Sequence, residues 1–133
     1  MGVWSLWGGP VIWHQYIALG ARWFMLVMAL WAFLVSMQRR PLGLTFLGII
    51  AASEVVIVVQ ALIGAYFFLG IGMRPPAWIK HLLYGGLTVF TLPVIYFYTR
   101  KEKDYRRKAR IWALACLFMF GLTFRTASTG VMG

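Results

Sequence analysis

Apolar residues fall into four long runs in this chain, about 15–37, 43–69, 77–98 and 109–126, separated by short polar or Gly/Pro-rich breaks. No internal repeat or heptad array underlies them. About twenty apolar residues are what a helix needs to cross a hydrocarbon core of roughly 30 Å. The pattern predicts an all-α chain: a single transmembrane domain over residues 1–133, folded as an up-and-down four-helix bundle with short connections.

The breaks carry their own signals. Gln38-Arg39-Arg40-Pro41 reads as a tight basic turn, and Gly70-Ile71-Gly72-Met73-Arg74-Pro75-Pro76 ends the second run. Pro76 is expected in the first turn of the third helix, where a missing N–H is harmless. Pro93 lies inside the third run and predicts a kink that neighbouring helices accommodate. Residues 1–10 hold Trp4, Trp7 and Gly8-Gly9-Pro10, with Trp13 and Tyr16 soon after, an aromatic density that fits a membrane–water interface. This segment is expected to lie along the surface before the first span. With no basic residue before the first apolar run and no A-x-A-like site, it does not read as a removable signal peptide.

Orientation follows from the basic residues. Arg39, Arg40, Arg100, Lys101, Lys103, Arg106, Arg107, Lys108 and Arg110 all fall in the first and third connections. The second connection holds Arg74 and Lys80, and the N-terminal segment holds none. The positive-inside bias therefore predicts both termini outside, with loops 38–41 and 99–110 in the cytoplasm.

Composition agrees with the runs. The chain is 62% hydrophobic and 12% charged, with mean hydropathy +0.78, whereas a soluble domain is about a quarter charged. A lipid bilayer is its expected surroundings. The net charge of +10 would fit nucleic acid if it were spread over a surface, but seven of the thirteen Lys and Arg lie between Arg100 and Arg110 beside a span. Such a cluster fits anionic headgroups, and no nucleic-acid partner is expected.

Little of the usual catalytic chemistry is present. Nucleotide-binding glycine motifs, G-x-S-x-G and H-E-x-x-H are absent. Of the three acidic residues, Glu102 and Asp104 sit among the basic residues of one loop, which removes paired-carboxylate chemistry and most hard-metal sites. Cys116 is the single cysteine, inside an apolar run, and reads as a small buried hydrophobe. No nucleophile–base pair is available, so no catalytic residue is assigned and an enzyme is not expected.

The functional question rests on six polar residues within or beside the spans: His14, Arg22, Glu54, Gln60, His81 and Arg125. A charge in hydrocarbon costs about 2.5–3.5 kcal/mol on insertion scales, so it normally meets a partner, a cavity or a pathway. At ~1.5 Å per helical residue, Arg22 lies roughly 9–12 Å and Glu54 roughly 12–15 Å below the outer face. The matching depths predict an intramembrane Arg22–Glu54 pair across the first two helices, either clamping their packing or serving a pathway. Beside Arg22 run Gln15, Ala18, Met25 and Ala29, and beside Glu54 run Ile50, Val58, Ala61 and Ala65, small enough for close approach. Gln60, six positions from Glu54, is on another face and is expected to bond between helices. Arg125 is near the outer end of the fourth span and can snorkel to the interface.

His14 and His81 are the only histidines, and both are predicted near the outer face because the first and third spans start on the same side. Two imidazoles on facing helices, beside glycines such as Gly85 that leave room for a flat macrocycle, can ligate a haem iron axially. The plainer role for each is an interfacial histidine bonded to water, headgroups or a carbonyl. Haem b is thus the one cofactor the residues admit, and no metal is expected beyond its iron.

The succession His14…Arg22-Trp23, Gln60-Ala61-Leu62-Ile63-Gly64, His81-Leu82-Leu83-Tyr84-Gly85 and Phe124-Arg125…Thr129-Gly130 resembles small four-span bacterial membrane proteins, some loosely described as cytochrome-b-like. The resemblance covers most of the chain through short motifs. It implies a helical bundle in a bacterial cytoplasmic membrane with a tie to electron transfer. The leading expectation is an accessory subunit packed among larger subunits of a respiratory or photosynthetic electron-transfer complex. The alternatives are a bis-histidine b-type haem protein, with or without a link to a quinone, and a small transporter or channel centred on Arg22 and Glu54.

Overall fold

A computed structural model describes residues 9–72 and 74–129. Four helices run in sequence: α1 (Gly9–Met37), α2 (Leu44–Ala65, continued by a π-helical segment Tyr66–Ile71), α3 (Trp78–Thr99) and α4 (Tyr105–Thr129). There are no strands among the described residues. The four apolar helical stretches are 26, 28, 22 and 25 residues long, and even the shortest spans about 33 Å at 1.5 Å per residue, enough for the hydrocarbon core. The chain is an integral-membrane all-α bundle. Apolar side chains such as Leu69, Leu83, Phe90 and Leu114 project outward into the lipid that this exposure requires.

The helix boundaries differ from expectation in instructive ways. Gly9 and Pro10 belong to α1 and do not break the chain before it, since proline is tolerated where an N–H has no acceptor. The interfacial segment expected over residues 1–10 otherwise lies outside the described residues. Pro76 stands in the turn before α3, whose N-cap is Ala77, and not in its first turn. The third connection is shorter than expected, because Arg106, Arg107, Lys108 and Arg110 are already helical. Asp104 explains that start: its Oδ1 accepts from the N–H groups of Arg106 and Arg107, at 3.0 and 3.3 Å, as an N-cap does. Glu102 Oε1 in turn accepts from the Asp104 N–H at 3.1 Å, and its other oxygen lies 3.5 Å from Arg107 Nε. Two of the three acidic residues are thereby used in shaping one turn.

α1 ends in a Schellman arrangement. The Arg40 N–H reaches back to the Val35 carbonyl while Arg39 takes the left-handed conformation at φ 55°, and Pro41 then prevents continuation. Gly72 plays the corresponding part after the π-helical segment, at φ 73°, its N–H bonded to the Phe67 carbonyl.

α1 packs most extensively on α4, and α4 on α3, whereas α2 rests more lightly against α1 and α3. The tight core lies in the half of the bundle nearest the basic connections, here called the basic end. Met25, Met28, Ala29 and Ala32 of α1 meet Trp112, Cys116 and Met119 of α4 there, with Phe46 of α2 and Leu92 of α3 closing the core. Trp31, Phe46 and Trp112 stack edge to face with centroids 5.5 and 6.0 Å apart, the favoured aromatic geometry. Cys116 is fully buried in this core, as its setting in the sequence predicted.

Candidate functional site: a histidine layer at the far end

Most side-chain hydroxyls in the spans bond to a carbonyl of their own helix. Ser36, Ser53, Thr88, Thr99, Thr123 and Thr126 all do so three or four residues back, which is how such groups are satisfied in lipid. Two side-chain hydrogen bonds among the described residues cross between helices, and both involve a histidine. Gln60 Nε2 of α2 donates to the His14 carbonyl of α1 at 2.6 Å. His81 Nδ1 of α3 lies 3.0 Å from the Thr126 carbonyl of α4. The interhelical role expected of Gln60 is thus realised, with His14 as its partner.

The imidazoles themselves converge. His14 and His81 have ring centroids 6.5 Å apart with planes at 59°, although half of the chain separates them in sequence. Because a carbonyl can only accept, His81 Nδ1 carries the hydrogen, and in the neutral ring Nε2 keeps the lone pair. A ring fixed through one nitrogen with the other free is the arrangement of a metal-ligating histidine with its supporting carbonyl. His14 packs edge to face on Phe67 at 5.9 Å, and its Nδ1 is buried with no hydrogen-bond partner.

Backbone shape makes room for the rings. A Cβ added to Gly64 would stand 3.4 Å from His14 Cε1 and 3.8 Å from Nε2, so the imidazole lies directly over a glycine. On α3, a Cβ added to Gly85 would meet nothing within 4 Å, one turn from His81. Beside His14, between α1 and α2, is a cavity of about 440 Å³ walled by Trp13, Ile63, Tyr66 and Phe67, within the usual range for small-molecule sites. Tyr66 and Phe67 come from the π-helical segment, an irregularity that often marks functional positions. Nothing in the sequence pattern announces it; Gly64 and Gly70 give only a general hint of irregular backbone.

Arg22 and Glu54 do not pair. The one ion pair among the described residues is Arg107–Glu102. The Arg22 guanidinium carbon instead lies 3.9 Å from the centre of the Phe124 ring on α4. The groove between α1 and α2 is lined by Ala52, Ser53, Val56 and Ile57 without Glu54, which therefore lies off the α1-facing wall of its helix. Depth fixes one axis alone; rotation about each helix separates the two groups. Direction opposes them as well, since side chains tilt toward the N-terminus of their own helix and α1 and α2 run antiparallel. Of the stripe beside Glu54, Ile50 packs in the core, whereas Val58, Ala61 and Ala65 are exposed. Arg22 Nε and Glu54 Oε2 are both buried without a partner among the described residues. Arg125 is exposed near the end of α4, as expected for a residue that snorkels.

No group of three or more His, Cys, Asp or Glu that could hold a bare metal ion occurs among the described residues. No family model, curated protein or solved structure matches this chain.

Proposed function

We propose that this chain is a small electron-transfer subunit of a membrane that holds one b-type haem between His14 and His81. The observation that carries the reading is the meeting of the chain's only two histidines, 6.5 Å apart between ring centroids, with His81 anchored on Thr126. Rings 6.5 Å apart between centroids are near enough for both imidazoles to hold one metal centre. The donor set argues for a macrocycle over a bare ion: two nitrogens leave an ion under-coordinated, whereas a haem needs only two from the protein. Haem would supply one-electron transfer. His14 and His81 would hold it, Thr126 would orient His81, and Gln60 would tie α2 to the backbone at His14. The basic connections on one end support the cytoplasmic assignment of that end, which sets the histidine layer near the opposite face.

The test is spectroscopic. Purified protein should show a Soret band, and reduced-minus-oxidised bands of a six-coordinate haem, at one haem per chain. His81→Ala and His14→Ala should each remove or shift them while circular dichroism still reports full helix. Protein that folds normally and remains free of haem, even after reconstitution with haemin, would refute the reading.

A second reading keeps the accessory-subunit role without a cofactor. It draws support from Glu54, an intramembrane carboxylate that makes no ion pair among the described residues. Co-migration with larger proteins on a native gel, lost in Glu54→Leu, would favour it. A chain that purifies alone from several mild detergents would count against it.

A further inference from the structure

At the basic end the bundle gathers charge that the fold itself leaves unused. α1 and α4 form the most extensively packed pair and run antiparallel, so α1 ends where α4 begins. The nine basic residues of the first and third connections therefore share one end of the molecule. All but Lys108 are exposed, and only Arg107 makes an ion pair among the described residues. The two acidic residues beside them are already engaged. Asp104 Oδ1 caps the N–H groups of Arg106 and Arg107, while Glu102 takes the Asp104 N–H and Arg107. Backbone geometry fixes the array: Arg39 is held left-handed in the turn that ends α1, and the cations at 106–110 ride on the first turns of a capped helix.

The level of these cations says what they meet. Residues 106–110 rise about 7 Å at ~1.5 Å per residue, close to one headgroup layer of roughly 5–8 Å. Tyr96, Phe97 and Tyr98 at the end of α3 and Tyr105 at the start of α4 are exposed beside them. Rings exposed in this way collect where hydrocarbon meets headgroups. The Arg100 guanidinium carbon stands 5.3 Å from the centre of the Phe97 ring, bridging the two layers. The array is therefore set at the height of lipid phosphates, where a soluble acidic partner would first have to displace the headgroups.

We propose that the basic end is a binding surface selective for anionic phospholipid, its phosphates held on a shelf formed by Arg39 and Arg40 after α1 and by Arg106 and Arg110 of α4. Guanidinium groups suit this partner, because each can grip a phosphate through two parallel N–H groups. A zwitterionic headgroup carries its own cation and gains little. The surface lies at the end away from His14 and His81, so it operates with or without a haem.

The test uses the full chain in phosphatidylcholine vesicles doped with spin-labelled phosphatidylglycerol or spin-labelled phosphatidylcholine. Electron spin resonance reads the share of each label immobilised on the protein. Phosphatidylglycerol should be preferred at least about fivefold, the worth of one cation near an anionic surface. Raising the ionic strength from about 0.1 to 1 M, which shortens the screening length from about 10 to 3 Å, should erode the preference. Arg106→Gln with Arg110→Gln, and separately Arg39→Gln with Arg40→Gln, should each reduce it at least about threefold, with helicity by circular dichroism unchanged. Lys80→Gln, exposed at the opposite end, should leave it as it was. Equal immobilisation of the two lipids, a preference indifferent to salt, one kept by both paired variants, or an equal loss in Lys80→Gln would each overturn the proposal.

Discussion

Arg22 and Glu54 give the sharpest test of the structure, because depth along the sequence pairs them and the fold does not. The perturbation is a double-mutant cycle: Arg22→Gln, Glu54→Gln and both together. Breaking one member of a buried ion pair costs about 3–5 kcal/mol, since it strands the other charge. The structure predicts something smaller. Arg22→Gln loses the stacking of its guanidinium on Phe124, about 0.5–2 kcal/mol, and is partly relieved of an intramembrane charge. Glu54→Gln removes a carboxylate that makes no ion pair among the described residues, so it should be neutral or stabilising. With Arg22 stacked on Phe124 of α4 and Glu54 off the α1-facing wall, the coupling energy should stay below about 0.5 kcal/mol, the level of independent sites. The assay is reversible unfolding in mixed micelles, followed by circular dichroism as the denaturing detergent fraction rises. A coupling above about 1.5 kcal/mol, or a large loss from Glu54→Gln alone, would refute the rotational assignment of both helices.

Three further outcomes follow from local geometry. Asp104→Ala removes the acceptor for two N–H groups at the start of α4 and should destabilise by about 1 kcal/mol, seen as faster amide exchange at Arg106 and Arg107. Arg39→Gly relieves a left-handed residue at φ 55° and should stabilise by roughly 1 kcal/mol in the same unfolding assay; a loss instead would mean that Arg39 is held there by headgroup contacts. Gly64→Val places branches against the His14 ring, since even a Cβ there stands 3.4 Å from Cε1. It should weaken haem uptake about 5- to 150-fold, the equivalent of a 1–3 kcal/mol overpacking penalty, whereas Gly85→Ala, with nothing within 4 Å of its Cβ, should leave uptake unchanged.

Spans and fold class were legible because lipid imposes a coarse rule: four apolar runs of bilayer length can only be helices, and short connections make neighbours antiparallel. Helix ends were less so. Asp104 ahead of Tyr105-Arg106-Arg107 is a residue type favoured at N-caps, yet the charge run around it suggested a loop. Of the candidate site, the two histidines and Gln60 could be named from residue type alone, since polar groups are rare in the spans. Their meeting could not be derived, because it depends on how each helix is rotated. Arg22 failed for the same reason: a depth estimate fixes height and leaves rotation free, so Met25 of the same stripe lines the α1–α2 groove while the Arg22 guanidinium turns to Phe124 of α4. Thr126 went unnoticed because its contribution is a backbone carbonyl, which every residue has.

The two halves of the bundle divide their work. Toward the basic end, large side chains interlock: Trp112, Phe46, Met28 and Cys116 are all but fully buried, and the hydroxyls of Ser36 and Thr99 bond within their own helices. Toward the far end, burial thins, α2 loosens, its last turns become π-helical, and both interhelical side-chain bonds appear. A bundle stabilised evenly would have no reason to place its glycine-seated imidazole, with an unpartnered Nδ1, in its least packed layer. Stability from one half permits a loose, polar and accessible layer in the other, which is what a cofactor entering from the membrane requires. The halves should therefore respond differently to substitution: Trp112→Ala should unfold the chain by about 3–5 kcal/mol and take the site with it, while Phe67→Ala, beside His14, should alter the site with a much smaller loss of global stability.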